Sequence, residues 1–116
     1  MAEIELLKLL LPEYLVDYFE VLRYAKDGDN LHLYFEEKNA PPSDYSDQKL
    51  ISKGFFDEIV IQDFPIRGHH AFLHIKRRRW LNLTSGNVVS RNWDQVAKGT
   101  RLTADFADFL KEISRF

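Results

Sequence analysis

The chain has 116 residues and not one is cysteine. This excludes a disulfide framework and any thiolate zinc site, and it suits a reducing compartment. Proline is scarce, with four residues, while 45% of the chain is hydrophobic and 14% aromatic, the composition of a folded chain and not of a disordered one. Long apolar runs are missing too: none approaches the roughly 20 residues that cross a bilayer. The first apolar segment, Ile4 to Leu11, is flanked by Glu3 and runs into Pro12 and Glu13 without a basic leader, so a signal peptide is not expected. The expected location is the cytoplasm. No internal repeat or low-complexity tract is visible.

Charge is unevenly placed. Residues 1–66 hold 6 Lys/Arg against 14 Asp/Glu, and residues 67–116 hold 10 against 4, so the formal net charge of −2 conceals two halves of opposite sign. At this length a single domain is expected over 1–116, with an acidic half 1–66 and a basic half 67–116.

Local patterns predict an α+β fold: N-terminal short helices, antiparallel β-hairpins forming a small sheet, and a C-terminal amphipathic helix. Ile4 to Leu11 suits one short helix, and Pro12 can start a second through Tyr14, Leu15, Tyr18 and Phe19. Phe19 to Ala25 and Asn30 to Glu36 are strand-like and separated by Lys26-Asp27-Gly28-Asp29, a hairpin signal. Residues 38–49 lack periodicity and predict a loop of about a dozen residues, a length often associated with function or mobility. Phe55 to Gln62 and His70 to Trp80 predict two further strands, with Asp63 to Gly68 turning the chain between them. On the second of these, Ala71, Leu73 and Ile75 oppose His70, Phe72, His74 and Lys76. Thr84-Ser85-Gly86-Asn87 predicts a turn that brings Val88 to Trp93 back as a partner strand. Thr103 as cap, Asp105 in the first turn and the stripe Phe106, Phe109, Leu110, Ile113 and Phe116 predict the closing helix.

Catalytic patterns are sparse. There is no Gly-rich phosphate loop, no nucleophile elbow and no His-Glu-x-x-His, and the carboxylates Asp57, Glu58 and Asp63 read as solvated groups sooner than as a two-metal site. His70 and His74 share a strand face but stand about 13 Å apart at the usual rise per residue, too far to hold one metal. No enzyme activity, metal or cofactor is expected.

What remains is the run Lys76-Arg77-Arg78-Arg79-Trp80. Cations beside a Trp on a β-hairpin can meet phosphates and stack on something flat; a solvated strand end is the bland alternative. The candidate nucleic-acid contacts are Arg67, Lys76, Arg77, Arg78, Arg79, Trp80, Arg91, Lys98 and Arg101. Alternation along a strand would put Lys76, Arg78 and Trp80 on one face and Arg77 and Arg79 on the other, so one set at most would face a duplex.

The order Asp63-Phe64-Pro65-Ile66-Arg67-Gly68, an alternating strand, Arg77-Arg78-Arg79-Trp80, a Gly-containing turn, then Lys98-Gly99-Thr100-Arg101-Leu102-Thr103 and Phe106-Ala107-Asp108-Phe109-Leu110 resembles the N-terminal region of bacterial insertion-sequence transposases. The similar group carries a zinc ribbon ahead of an Asp-Asp-Glu catalytic domain, and some elements encode this region as a separate short reading frame. Laying the Gly of the family's Cys-x-x-Cys-Gly on Gly86 puts Asn82 and Ser85 where its cysteines stand, so the ribbon is degenerate. The hairpin is then expected to be held by Trp80, Leu81, Leu83, Val88 and Trp93. The resemblance implies a non-catalytic DNA-binding module acting on element ends. The alternative is a protein-interaction module that assembles with, or regulates, the separate catalytic polypeptide.

Overall fold

The computed structural model describes residues 2–11, 13–66, 68–93, 111 and 113. Its elements are α1 (Ala2–Leu10), α2 (Glu13–Tyr18), β1 (Phe19–Asp27), β2 (Asn30–Glu37), a 3-10 turn (Ser43–Tyr45), β3 (Leu50–Phe55), β4 (Ile59–Ile66), β5 (His69–Lys76), β6 (Arg78–Asn82) and β7 (Val88–Val89). They fall into two compact units: Met1–Lys38 with Glu58–Lys76, and Asn39–Asp57 with Arg77–Phe116. The chain therefore passes between them after Lys38, Asp57 and Lys76.

The fold is mostly β, and the α+β expectation is corrected accordingly. Seven strands form two sheets, and the two short helices near the N-terminus, located where the sequence suggested, are the only α-helices in the element order of the described residues. No long C-terminal amphipathic helix is present among the described residues. Lys111 and Ile113 are helical and Ile113 is fully buried, whereas the rest of the expected stripe, with Thr103 and Asp105, lies outside the described residues.

The first unit holds a four-stranded sheet in the order β1-β2-β5-β4. Gly28, at φ 60, closes the β1–β2 hairpin in the left-handed region that a two-residue connection requires, with Asp27 facing Asn30. The sheet is not purely antiparallel. β2 and β5 run parallel, in register from Asn30↔His70 to Glu36↔Lys76, while β4 and β5 pair antiparallel. Alternation then decides the faces: Leu33 and Phe35 of β2, Ile59 and Ile61 of β4, and Ala71, Leu73 and Ile75 of β5 are buried. Phe19 meets Phe35 edge-on at 6.4 Å between centroids. Leu11 and Leu15 are buried as well, and α1 and α2 pack against β1.

The second unit holds a three-stranded antiparallel sheet, β3-β6-β7. Two of the expected strands are divided by the unit boundary. Phe55 to Gln62 separates into β3 and β4, and His70 to Trp80 into β5 and β6, each pair in different sheets. The breaks fall at residues 56–58 and at Arg77, which belong to no strand, and the segments on either side pair with different partners: β3 with β6, β4 with β5. Trp80 is 0% exposed and anchors this sheet between Ser52 and Val89. β7 is shorter than the expected return strand.

Between Ser52 and Phe55 the register of β3 on β6 shifts, and Gly54 lies there at φ 88. This is a bulge that needs a residue tolerant of positive φ. A Cβ at Gly54 would meet only the Arg79 Nη2 atom, at 3.9 Å, an ordinary contact. Gly54→Ala should therefore cost about 1–2 kcal/mol from backbone strain alone, read as a lower urea midpoint. A midpoint equal to that of the parent would show that the bulge tolerates a side chain.

Candidate nucleic-acid interface

In the second unit the arginine run is held by the two phenylalanines that end and follow β3. Phe55 faces Arg78 in register, and the Phe56 amide donates to the Arg77 carbonyl at 2.8 Å. The Arg78 guanidinium lies over the Phe55 ring at 4.5 Å, and its Nη1 donates to Ser52 Oγ at 2.5 Å. Arg77 and Arg79 both lie over Phe56, at 5.1 and 5.7 Å. Arg79 Nη2 also donates to the Lys53 carbonyl at 3.3 Å. All three arginines are half-buried. A guanidinium on a ring keeps its charge and its N–H edge while losing rotamer freedom, so it is pre-organised for an anion.

Arg91 is fixed differently. It lies over the Trp80 ring at 5.9 Å and donates to the Ala40 carbonyl at 2.5 Å, and the indole N–H of Trp80 donates to Asn39 Oδ1 at 3.0 Å. Residues 39 and 40 open the segment expected as a loop, so that segment is tied to β6 by polar contacts. Trp80, proposed as a stacking surface, is instead the core of its sheet and has no face for a base.

Lys76 belongs to the first unit, apart from the arginines in the division of the chain. There it faces Glu36 in register and lines a shallow depression of about 100 Å³ with Arg23, Tyr34 and Glu58. That volume holds a few waters, well short of the roughly 300 Å³ at which ligand pockets begin. Its charges are of both signs. Arg67, Lys98 and Arg101 lie outside the described residues.

Sequence reasoning missed two things. One is the Ser52-Lys53-Gly54-Phe55-Phe56 stretch as the ring partner of the arginines; the signal available was two adjacent phenylalanines after a glycine, which alternation alone cannot both bury. The other is a chain of polar groups in the first unit. Glu58 Oε1 accepts from His74 Nδ1 at 2.9 Å, and His74 Nε2 lies 2.8 Å from His32 Nδ1. With the carboxylate holding the His74 Nδ1 proton, a neutral His74 accepts from His32. His74 also stacks on Tyr34 at 4.4 Å, Tyr34 carries Arg23 at 3.6 Å, and His32 stacks on Phe72 at 5.2 Å. Thus His74 is joined to β2 and to Glu58, not to His70. No group of three or more His, Asp or Glu suited to a metal occurs among the described residues.

The units differ in charge. The first carries 6 Lys/Arg against 11 Asp/Glu and the second 10 against 7, so the arginine cluster sits in a unit of formal charge +3 and the histidine chain in one of −5. Among the described residues no helix is long and apolar enough to cross a membrane. Comparison of the chain with protein-family models, with curated proteins and with solved structures finds no match.

Proposed function

We propose that this protein is a nucleic-acid-binding module. More particularly, it is the non-catalytic N-terminal or accessory part of an insertion-sequence transposase, which acts in the cytoplasm and contacts element DNA through the arginine strand of its second unit. Catalysis resides in another polypeptide. The observation that carries the reading is that three consecutive arginines, Arg77 to Arg79, are each held over a phenylalanine ring in the unit with excess positive charge. Pre-organised guanidinium groups suit phosphate oxygens, and phosphate contacts supply most of the affinity of such modules. The order of motifs resembling the transposase N-terminal region supports the particular assignment.

A second reading has its own support. Units of opposite formal charge favour association with a partner polypeptide, here the catalytic transposase subunit, and charge complementarity accelerates such encounters. Static light scattering of the chain with that subunit, at low and high salt, separates the two: a salt-independent lack of any complex removes the second reading.

Fluorescence anisotropy with a duplex carrying an element's terminal repeat, at several salt concentrations, tests the first. Log affinity should fall linearly with log salt, by about 0.9 for each phosphate contact. A Kd weaker than about 10⁻⁴ M at low salt, or a flat salt response, would overturn it.

A further inference from the structure

We propose that this protein self-associates head to tail, with the exposed leucine stripe of α1 on one copy seated on the open apolar face of the β3-β6-β7 sheet of the next. The proposal goes beyond the proposed function and does not depend on nucleic acid. Its first half is α1, where Leu6, Leu9 and Leu10 stand at i, i+3 and i+4 and so share one helix face. All three are exposed, Leu9 to 81%. A single exposed leucine is ordinary, whereas three in one stripe of a nine-residue helix make an open apolar patch of the kind that marks an interaction surface.

The other half lies in the second unit. Ile51 faces Leu81 and Leu81 faces Val88, so the three strands carry one apolar row, which alternation puts on the side opposite Trp80. Leu83, whose amide donates to the Lys49 carbonyl at 2.9 Å, extends it. Ile51, Leu83 and Val88 are exposed. Lys49 and Lys53, both exposed, stand two residues to either side of Ile51, and none of the residues named on this face is acidic.

The two surfaces match in size and in charge. A row across three strands spans about 10 Å, which accommodates the roughly 6 Å rise from Leu6 to Leu10 and leaves the lysines about 7 Å to either side of Ile51, near the flanks of a seated helix. Glu5 borders the stripe one turn before Leu9, and its bond to Lys8, at 3.4 Å, is a surface pair that costs little to exchange. α1 belongs to the unit of formal charge −5 and the sheet to the unit of +3. That difference selects the occupant: the sheet face of one copy attracts the α1 unit of another, whereas two α1 stripes meeting each other would bring like-charged units together. Because the two surfaces differ, the contact is heterologous, and every copy added leaves one of each open until a ring closes. With three leucines meeting four apolar side chains, the interface is small and transient, and a Kd on the order of 10⁻⁴ M is expected.

Sedimentation equilibrium of the full chain from about 10 µM to about 1 mM, at low and high salt, tests this. The weight-average mass should rise with concentration, and added salt should weaken the association severalfold. Leu9→Gln on α1 and Val88→Glu on the sheet should each weaken it by at least about tenfold. Mixed in equal amounts, the two variants should pair one to one with wild-type affinity and grow no further, because one keeps the helix stripe and the other the sheet face. Near-ultraviolet circular dichroism would confirm that each retains the parent's tertiary signal; Leu6→Gln and Ile51→Thr stand in for a variant that does not.

A wild type that stays monomeric throughout, a folded variant that associates as tightly as the wild type, or a mixture that fails to pair would each overturn the proposal. If a monomeric wild type instead binds phosphatidylserine vesicles and Leu9→Gln does not, the stripe belongs to a lipid surface. None of these variants alters the arginine strand, so failure here leaves the proposed function standing on its own titration.

Discussion

Replacing Trp80 by alanine should cost about 3–5 kcal/mol, the range for emptying a core aromatic position. Small domains are stable by only about 5–15 kcal/mol in total, so the variant should be largely unfolded in its second unit near physiological temperature. Trp80 is 0% exposed, faces Ser52 on one side and Val89 on the other, and ties Asn39 to the sheet through its indole N–H. Trp80→Phe keeps much of the apolar volume and loses that one hydrogen bond. Because Asn39 is exposed, its carbonyl can turn to water, so the phenylalanine variant should lose less than half as much. Urea unfolding followed by far-ultraviolet circular dichroism measures both, free of the change in tryptophan emission. A loss below about 1 kcal/mol for Trp80→Ala, far under the cavity range, would mean that this ring is not the core of its sheet.

The same residue shows why the functional reading and the fold reading of the sequence pulled apart. A tryptophan after four cations is ambiguous, since a ring that stacks on a base and a ring that fills a core have identical local patterns. The alternation of β6 resolves it only once its partners are known, because Trp80 and Asn82 are buried while Arg79 and Leu81 are less so. Local signals were sufficient for the β1–β2 hairpin, where Gly28 marks the turn, and for the buried face Ala71, Leu73 and Ile75 of β5. They were insufficient wherever a partner is distant in sequence. The parallel pairing of β2 with β5 joins segments about 40 residues apart, and nothing in either strand announces it. Neither could His32 be assigned to His74, 42 residues away, nor Arg77 and Arg79 to Phe56. In the run His70 to Trp80 the buried side chains fall on odd positions up to Ile75 and on even ones from Trp80, a change of phase that coincides with the change of sheet and that strand-like composition alone does not mark.

The turn after β6 gives the second large effect. The expectation is that Trp80, Leu81, Leu83, Val88 and Trp93 hold this hairpin by packing; Trp80 and Trp93 are buried, whereas Leu83 and Val88 are 48% and 50% exposed. The turn itself, however, is closed by a side chain. Asn82 is 2% exposed; its Oδ1 accepts the amides of Thr84 at 2.9 Å and Ser85 at 3.2 Å, and its Nδ2 donates to Gln48 Oε1. One residue thereby organises the turn and fastens the 39–49 segment to the sheet. Asn82→Ala should cost about 2–3 kcal/mol, the sum of three hydrogen bonds at about 1 kcal/mol net each. Asn82→Asp keeps the acceptor for both amides, and Gln48 can rotate its amide to donate to the second carboxylate oxygen. Its cost should fall between the parent and alanine, because a buried charge with three donors still loses hydration. The backbone bonds from Gly86 to the Asn82 carbonyl and from Asn82 to the Asn87 carbonyl remain in both variants. Hydrogen exchange should therefore accelerate first at Thr84 and Ser85 in the alanine variant, and much less in the aspartate one. Equal exchange at these two amides in all three proteins would show that the backbone bonds alone hold the turn, and that Asn82 contributes only its bond to Gln48.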